Sequence, residues 1–212
     1  LACALCLYSI RYIVSKKIYH FLFVILLAAT IHLAAITFLI SYFLCNLKIG
    51  VKTLRYLILI SLVIGVCMPL GQFLKSLPYM EGLDRIQNYS GWEGFNQTLG
   101  VFSNPTVLKQ LIVSAVCLKY YDRLDKKVYA FRILVTIYVF SLCWLVIWND
   151  FGIVAARIAT FFSIGEVLLI ASFYQLLSSK KTYAVIIGLA SFIFLTLNLV
   201  KGDLNYQLVF FS

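Results

Sequence analysis

The sequence predicts an all-α fold, a polytopic transmembrane bundle of about seven or eight spanning or partly spanning helices. Of its 212 residues, 63% are hydrophobic and only 12% are charged, against roughly 45–50% and about 25% in soluble domains. So little polar surface cannot cover a water-soluble particle, so lipid must solvate the chain. We expect one transmembrane domain over 1–212. Because Leu1 enters an apolar run directly, with no signal peptide before it, we expect this domain to be the C-terminal part of a longer protein.

The apolar runs and the basic clusters between them predict the topology. The runs cover roughly 1–14, 18–46, 54–70, 107–121, 128–148, 153–177 and 182–200. The clusters are Arg11/Lys16/Lys17, Lys48/Lys52/Arg55, Lys119/Arg123/Lys126/Lys127 and Lys180/Lys181. Cytoplasmic loops carry an excess of Lys and Arg, so the clusters are placed inside and the long polar connection 71–106 outside.

The run 18–46 does not fit this topology as one helix, because a single span would put one of its flanking clusters outside. Two short helices, about 18–31 and 33–46, that turn back near Thr30–Ile31–His32 keep both clusters inside. Each arm would rise about 20 Å, which is short but workable when lysines snorkel. We prefer this hairpin, which places His32 at the outer face; a single helix would place it near mid-membrane.

The later helices follow without conflict. Pro105 suits a first helical turn after Ser103–Asn104, so helix 107–121 runs inward from there. Helix 128–148 returns outward and ends in an aromatic belt at Trp144 and Trp148. Helix 153–177 then runs inward and helix 182–200 outward, with an external tail at 201–212.

Several function classes are excluded. The net charge of +10 would suggest nucleic acid in a soluble protein, but here it orients helices, so no nucleic acid is expected. Cys3 and Cys6 form a CxxC inside an apolar run with no second pair, and the other cysteines are dispersed, which favours free thiols. The sequence contains no metal-ligand constellation and no nucleotide-binding loop. We expect neither a metal nor a cofactor.

Ionisable residues inside apolar runs are the candidate site residues, since such groups are costly in a membrane. Arg157 either snorkels to outer headgroups or faces the bundle interior and holds a phosphate or carboxylate. Its outer position, where positive charge is disfavoured, favours the second. His32 is either a helix–helix hydrogen-bonding group or a proton-transfer group at the depth of Arg157.

Two further charges lie in these runs. Glu166 is nine residues beyond Arg157, near mid-bilayer, and we expect it to pair with a cation from a preceding part of the protein or to be protonated. Lys109 lies near the outer end of its helix. Snorkelling is its default role, but a cation beside Arg157 would suit a diphosphate.

The external connection carries a second candidate surface. Tyr79, Leu83, Ile86, Tyr89 and Trp92 recur at helical spacing, which predicts an amphipathic segment over 79–95. Its polar members include Asp84, Arg85, Gln87, Asn88, Glu93, Asn96 and Gln97. Aromatic faces beside carboxylates and amides are typical of sugar binding; the alternative is an aromatic membrane anchor.

Two stretches carry a family resemblance. Residues 1–44 read LACALCLYSIRYIVSKKIYHFLFVILLAATIHLAAITFLISYFL, and residues 156–162 read ARIATFF. Both resemble segments of EpsG-family membrane proteins, the Wzy-like polysaccharide polymerases. The positions that match in the first stretch are Ala2, Arg11, Lys16–Lys17, Ala29, His32 and Ala35. In the second, Arg157 with Phe161–Phe162 is similar to the family's late Arg-x-x-x-Tyr/Phe-Phe helix, and Tyr89 corresponds to a loop tyrosine. Ile31 stands where the family has an aromatic, and the family's Arg–Gln pair would lie before Leu1.

The resemblance implies a glycosyltransferase of the bacterial cytoplasmic (inner) membrane, with its active face outward. It would join undecaprenyl-diphosphate-linked oligosaccharide repeats into a surface polysaccharide such as O-antigen or exopolysaccharide, without a metal. A chain-length regulator protein would be a candidate partner. Arg157, helped by Lys109, would bind the diphosphate, and His32 would hydrogen-bond it or steer the acceptor hydroxyl. Glu93 or Asp84 would be the base. Arg85, Tyr89, Trp92 and Asn96, in the loop 79–97, would bind sugars.

The sequence leaves two alternative functions to compare with a polymerase. A flippase or exporter of the same lipid-linked sugars should show internal repeats and broken mid-membrane helices, and the sequence predicts neither. A membrane acyltransferase would be expected to carry a stronger histidine-based site.

Overall fold

The computed structural model describes residues 1–47, 49–68, 70, 100–176 and 180–200, and its regular elements there are all helical. The predicted all-α class is therefore confirmed for the described residues. The α-helices are α1 (Ala2–Val14), α2 (Ile18–Ile31), α3 (Leu39–Asn46), α4 (Val51–Cys67), α5 (Pro105–Lys119), α6 (Tyr121–Asp125), α7 (Phe131–Ile147), α8 (Gly152–Phe162), α9 (Glu166–Ser172) and α10 (Lys180–Val200). Short 3₁₀ helices cover Leu33–Phe38, Val101–Ser103 and Phe173–Gln175.

The chain divides into two units, Leu1–Ala171 and Ser172–Ser212. The candidate site described below lies in the first. In the second, the rings of Tyr174 and Tyr183 pack edge to face with centroids 5.7 Å apart.

Helix α7 is the centre of the first unit. All six residues from Leu134 to Val139 are buried, and a helix buried on every side belongs in the interior. It packs against α3, α4, α5 and α8. Close approach to α4 depends on Gly65, because a Cβ there would collide with the backbone carbonyl oxygen of Val146 in α7.

The predicted hairpin over 18–46 is present. The helix α2 ends at Ile31, and His32 is extended (φ −149°, ψ 109°) before the chain resumes as a 3₁₀ helix. The rings of Phe21 and Tyr42 lie 5.2 Å apart, whereas a continuous helix would separate these residues by about 31 Å. The two arms therefore fold back on each other, and His32 lies at the turn.

The predicted start of α5 is also confirmed. The helix begins at Pro105, and the side-chain oxygen of Asn104 accepts a hydrogen bond from the backbone N–H of Thr106 at 3.0 Å. Asparagine as N-cap with proline at the first helical position is a favourable combination, since proline has no N–H to leave unpaired.

The prediction of one helix over 153–177 is wrong. Helix α8 ends at Phe162, and α9 begins at Glu166 after a turn closed by the hydrogen bond from Glu166 N–H to Ser163 C=O. At this turn Gly165 approaches α7 so closely that a Cβ would lie 2.8 Å from Cδ2 of Leu134. The helix is therefore interrupted within a segment of continuous hydrophobicity, at a point of close contact with α7.

No single helix among the described segments is long and apolar enough to cross a membrane, and only the bent pair Val154–Phe162 with Glu166–Gln175 meets the length and composition needed. Large apolar side chains are nevertheless exposed on several of the described helices. Among them are Phe23, Leu26 and Leu27 on α2, and Leu59, Ile60 and Val63 on α4. Exposed apolar faces of this size usually mark a surface that lipid or another protein covers.

Candidate functional site

His32 lies against the helix that carries Arg157. Its ring is 5.4 Å from the ring of Phe161 in α8, and its Nδ1 accepts a hydrogen bond from the N–H of Ala34 at 3.3 Å. Both His32 and Arg157 are exposed side chains. Phe161 follows Arg157 by four residues, so the two lie on the same face of α8, one turn apart. The structure thus places the helical turn of α8 that carries Phe161 against His32, where the hairpin 18–46 folds back.

A second cluster joins three helices around Glu166. The Nζ of Lys109 in α5 lies 2.7 Å from Oε1 of Glu166, and the hydroxyl of Tyr138 in α7 donates to Oε2 at 3.0 Å. The Lys109 side chain is 33% exposed and the Glu166 side chain 17%. The cation beside Glu166 is Lys109 of this chain, so the expectation that it comes from a preceding part of the protein is wrong.

A polar cavity of about 280 Å³ lies between α5, α7 and α8. Its lining comes from the first two turns of α5, from the end of α7 and the turn after it, and from α8 along its whole length. Amides and hydroxyls supply its polar lining, namely Asn104, Thr106, Gln110, Asn149, Thr160 and Ser163. Leu145, Gly152 and three alanines of α8 complete the wall, and no side chain lining it carries a charge.

A short hydrogen-bonded chain lies beneath this cavity. The buried hydroxyl of Ser141 donates to the carbonyl of Ala159 at 2.9 Å, and Nε2 of Gln110 lies 3.5 Å from the same hydroxyl oxygen. Gln110 is 2% exposed, and its Oε1 has no hydrogen-bond partner. A buried acceptor without a partner is unfavourable, so Gln110 contributes one unmet polar atom beside the cavity.

The family model that matches this chain is the EpsG family, over residues 1–210. The chain belongs to the EpsG family. EpsG is a Wzy-like polymerase family, which confirms the resemblance seen in the two sequence stretches. No significant match was found among curated proteins or among solved structures.

Six of the predicted site residues lie in the connection 71–106, in the part of it that the structure does not describe. They are Asp84, Arg85, Tyr89, Trp92, Glu93 and Asn96, and their roles stay predictions. Three others, Arg157, His32 and Lys109, are described. Of these, His32 contacts Phe161, one helical turn from Arg157 in α8. Lys109 forms an ion pair with Glu166.

The sequence patterns did not predict a role at the site for Gln110, Tyr138 or Ser141. A glutamine within an otherwise apolar stretch of α5 was the available signal, because a polar residue at a buried helix position usually has a specific partner. Within the described segments, no group of three or more His, Cys, Asp or Glu side chains is placed to hold a metal ion.

Proposed function

We propose that this EpsG-family protein polymerises undecaprenyl-diphosphate-linked oligosaccharide repeats into a surface polysaccharide at the outer face of the bacterial cytoplasmic membrane. The observation that carries the proposal is the family match over residues 1–210. The contact of His32 with Phe161, one turn from Arg157 in α8, supports the choice of site. The exposed apolar faces of α2 and α4 suit helices that meet lipid.

In the proposed reaction, a hydroxyl of the incoming lipid-linked unit attacks the anomeric carbon of the growing polymer. A glycosidic bond forms, and the bond from the anomeric carbon to the diphosphate oxygen breaks. The hydroxyl proton passes to a base, and the lipid diphosphate leaves with the bonding electron pair. Negative charge accumulates on the leaving diphosphate, so a cation placed there lowers the barrier.

Arg157 is the residue we assign to that charge, because guanidinium binds phosphate oxygens through two parallel hydrogen bonds. The exposed ring of His32, on the adjoining turn, would hydrogen-bond the diphosphate or orient the acceptor hydroxyl. Lys109 would have to exchange Glu166 for phosphate, and its part is therefore auxiliary. Glu93 or Asp84 would be the base, and the loop 79–97 would hold the sugars. A chain-length regulator protein would be a partner outside this chain.

The test restores the gene to a strain from which it has been deleted and compares wild type with Arg157→Ala and Arg157→Lys. Surface polysaccharide length is read on a gel, and the amount of protein in the membrane is measured in parallel. The control is Arg123→Ala, which removes an exposed arginine from α6, in the connection between α5 and α7. We expect single repeat units for Arg157→Ala, partial length for Arg157→Lys and a full ladder for Arg123→Ala.

Two outcomes would overturn the proposal. A full ladder from a well-expressed Arg157→Ala protein would make Arg157 a snorkelling anchor. Loss of single repeat units as well as polymer would favour a flippase or exporter. The sequence predicts no broken helix, and this prediction is wrong between α8 and α9, so the two functions are distinguished by this experiment and not by helix continuity.

A further inference from the structure

We propose that the cavity between α5, α7 and α8 is a subsite for a single neutral sugar ring of the substrate, separate from the place where the diphosphate binds. The identification of the ligand as a saccharide rests on the proposed function. Its neutral charge and its hydroxyl groups are inferred from the residues that line the cavity. The separation predicts that sugar binding in this cavity survives the loss of Arg157.

The side chains of the lining supply no cation for a phosphate group. Its polar side chains are amides and hydroxyls, which donate and accept hydrogen bonds but bring no positive charge to balance an anion. Saccharide hydroxyls need this mixture, because each of them both donates and accepts. The aliphatic walls formed by Leu145 and the alanines of α8 suit the C–H surface of a sugar ring.

Gln110 supplies a fixed acceptor. The Ser141 hydroxyl gives its only proton to the carbonyl of Ala159, so its oxygen can only accept a further hydrogen bond. The Gln110 amide must therefore turn its NH₂ towards Ser141, as it does, and a flipped amide would place two acceptors together. This leaves Oε1 as a buried acceptor without a partner in the protein, contributed by a residue that lines the cavity. Oε1 itself has no accessible surface, so a ligand hydroxyl would satisfy it only after a small shift of the Gln110 side chain that turns this oxygen into the cavity.

Size and position fit one ring beside the reacting end. A volume of about 280 Å³ lies just below the range of ligand sites, which run roughly 300–1,000 Å³, so an oligosaccharide would not fit. Ala156 and Thr160 in the lining are the residues next to Arg157 and three beyond it in α8. A ring held in this cavity would therefore lie alongside the helix whose arginine we assign to the diphosphate.

The experiment measures binding of simple glycosides by saturation-transfer NMR, using the full chain in lipid nanodiscs free of glycoside detergents. The probes are the methyl glycosides of glucose, galactose, N-acetylglucosamine and rhamnose. Gln110→Leu removes the acceptor while keeping similar volume, and Ala156→Leu fills the cavity from an exposed wall position. The matched control is Gln175→Leu, the same change at an exposed glutamine.

We expect at least one glycoside to bind wild type, Gln175→Leu and Arg157→Ala alike. Binding should weaken about tenfold in Gln110→Leu and vanish in Ala156→Leu. Thermal unfolding should show Gln110→Leu folded and no less stable than wild type, because the change removes an unsatisfied buried acceptor.

The proposal is overturned if no glycoside of the panel binds wild type, or if folded Gln110→Leu binds as wild type does. It is also overturned if inorganic diphosphate displaces the glycoside from Arg157→Ala, since the cavity would then accept an anion. Failure of the polymerase proposal is recognised separately, by a full polysaccharide ladder from Arg157→Ala cells.

Discussion

Replacing Lys109 with methionine removes the cation that neutralises Glu166 while keeping most of the side chain's length. The Nζ–Oε1 distance is 2.7 Å, and the carboxylate side chain is only 17% exposed. The variant would leave Glu166 with the single neutral hydrogen bond from Tyr138 in place of the ion pair. Glu166→Gln is the matched change on the other partner, since its amide oxygen can still accept from Tyr138 and a Lys109 side chain 33% exposed can turn to water.

The degree of burial sets the magnitude. Exposed pairs contribute about 0–1 kcal/mol, and breaking a fully buried pair costs about 3–5 kcal/mol because a charge is left uncompensated. A pair with exposures of 33% and 17% lies between these limits. We expect Lys109→Met to lower the free energy of unfolding by about 2 kcal/mol and Glu166→Gln by about 1 kcal/mol. The double variant should be more stable than Lys109→Met alone, because no unpaired charge remains.

The assay is thermal unfolding of the protein in lipid nanodiscs, followed by tryptophan fluorescence. For a chain of this length, 1 kcal/mol shifts the midpoint by about 2–4 °C, so the expected loss for Lys109→Met is about 4–8 °C. Two results would refute the reasoning. One is a Glu166→Gln variant less stable than Lys109→Met, and the other is a double variant whose loss equals the sum of the single losses.

Two packing and capping features give further predictions. Gly65→Ala should lower the free energy of unfolding by about 1–3 kcal/mol through overpacking, because its Cβ would meet Val146 of the central helix. The control Gly188→Ala, in an open helical position, should be neutral or stabilising by about 0.5–1 kcal/mol. Equal thermal midpoints for the two variants would contradict this. Asn104→Ala removes the N-cap of α5 and should cost about 1 kcal/mol, whereas Asn46→Ala, whose amide only donates to a carbonyl at an exposed helix end, should change the midpoint little. A capping loss no larger than that of Asn46→Ala would show that α5 starts independently of Asn104.

The sequence analysis predicted those features that depend on residues close together in the sequence. His32 interrupts an apolar run, and the balance of basic clusters on either side demanded a turn near it, which is where the chain folds back. Asn104 followed by Pro105 marks a helix start because both residues act on the backbone within one turn.

Features that depend on distant parts of the chain were not predicted. The break at residues 163–165 lies inside a continuous apolar run, and Gly165 at this break lies close to Leu134 in another helix. Lys109 and Glu166 form an ion pair although they are 57 positions apart in the sequence. The depth of a residue along its own helix does not show which residue of another helix it contacts. Nor does composition reveal the unsatisfied oxygen of Gln110, because that oxygen becomes unpaired only when Ser141 and Ala159 pack beside it.

The most direct test of the polymerase assignment uses purified protein in liposomes supplied with lipid-linked repeat units. We predict that wild type and Arg123→Ala lengthen the saccharide and release one lipid diphosphate for each linkage formed, and that Arg157→Ala does neither. Transfer of intact repeat units across the bilayer without lengthening would contradict the account, and so would equal chain growth by Arg157→Ala.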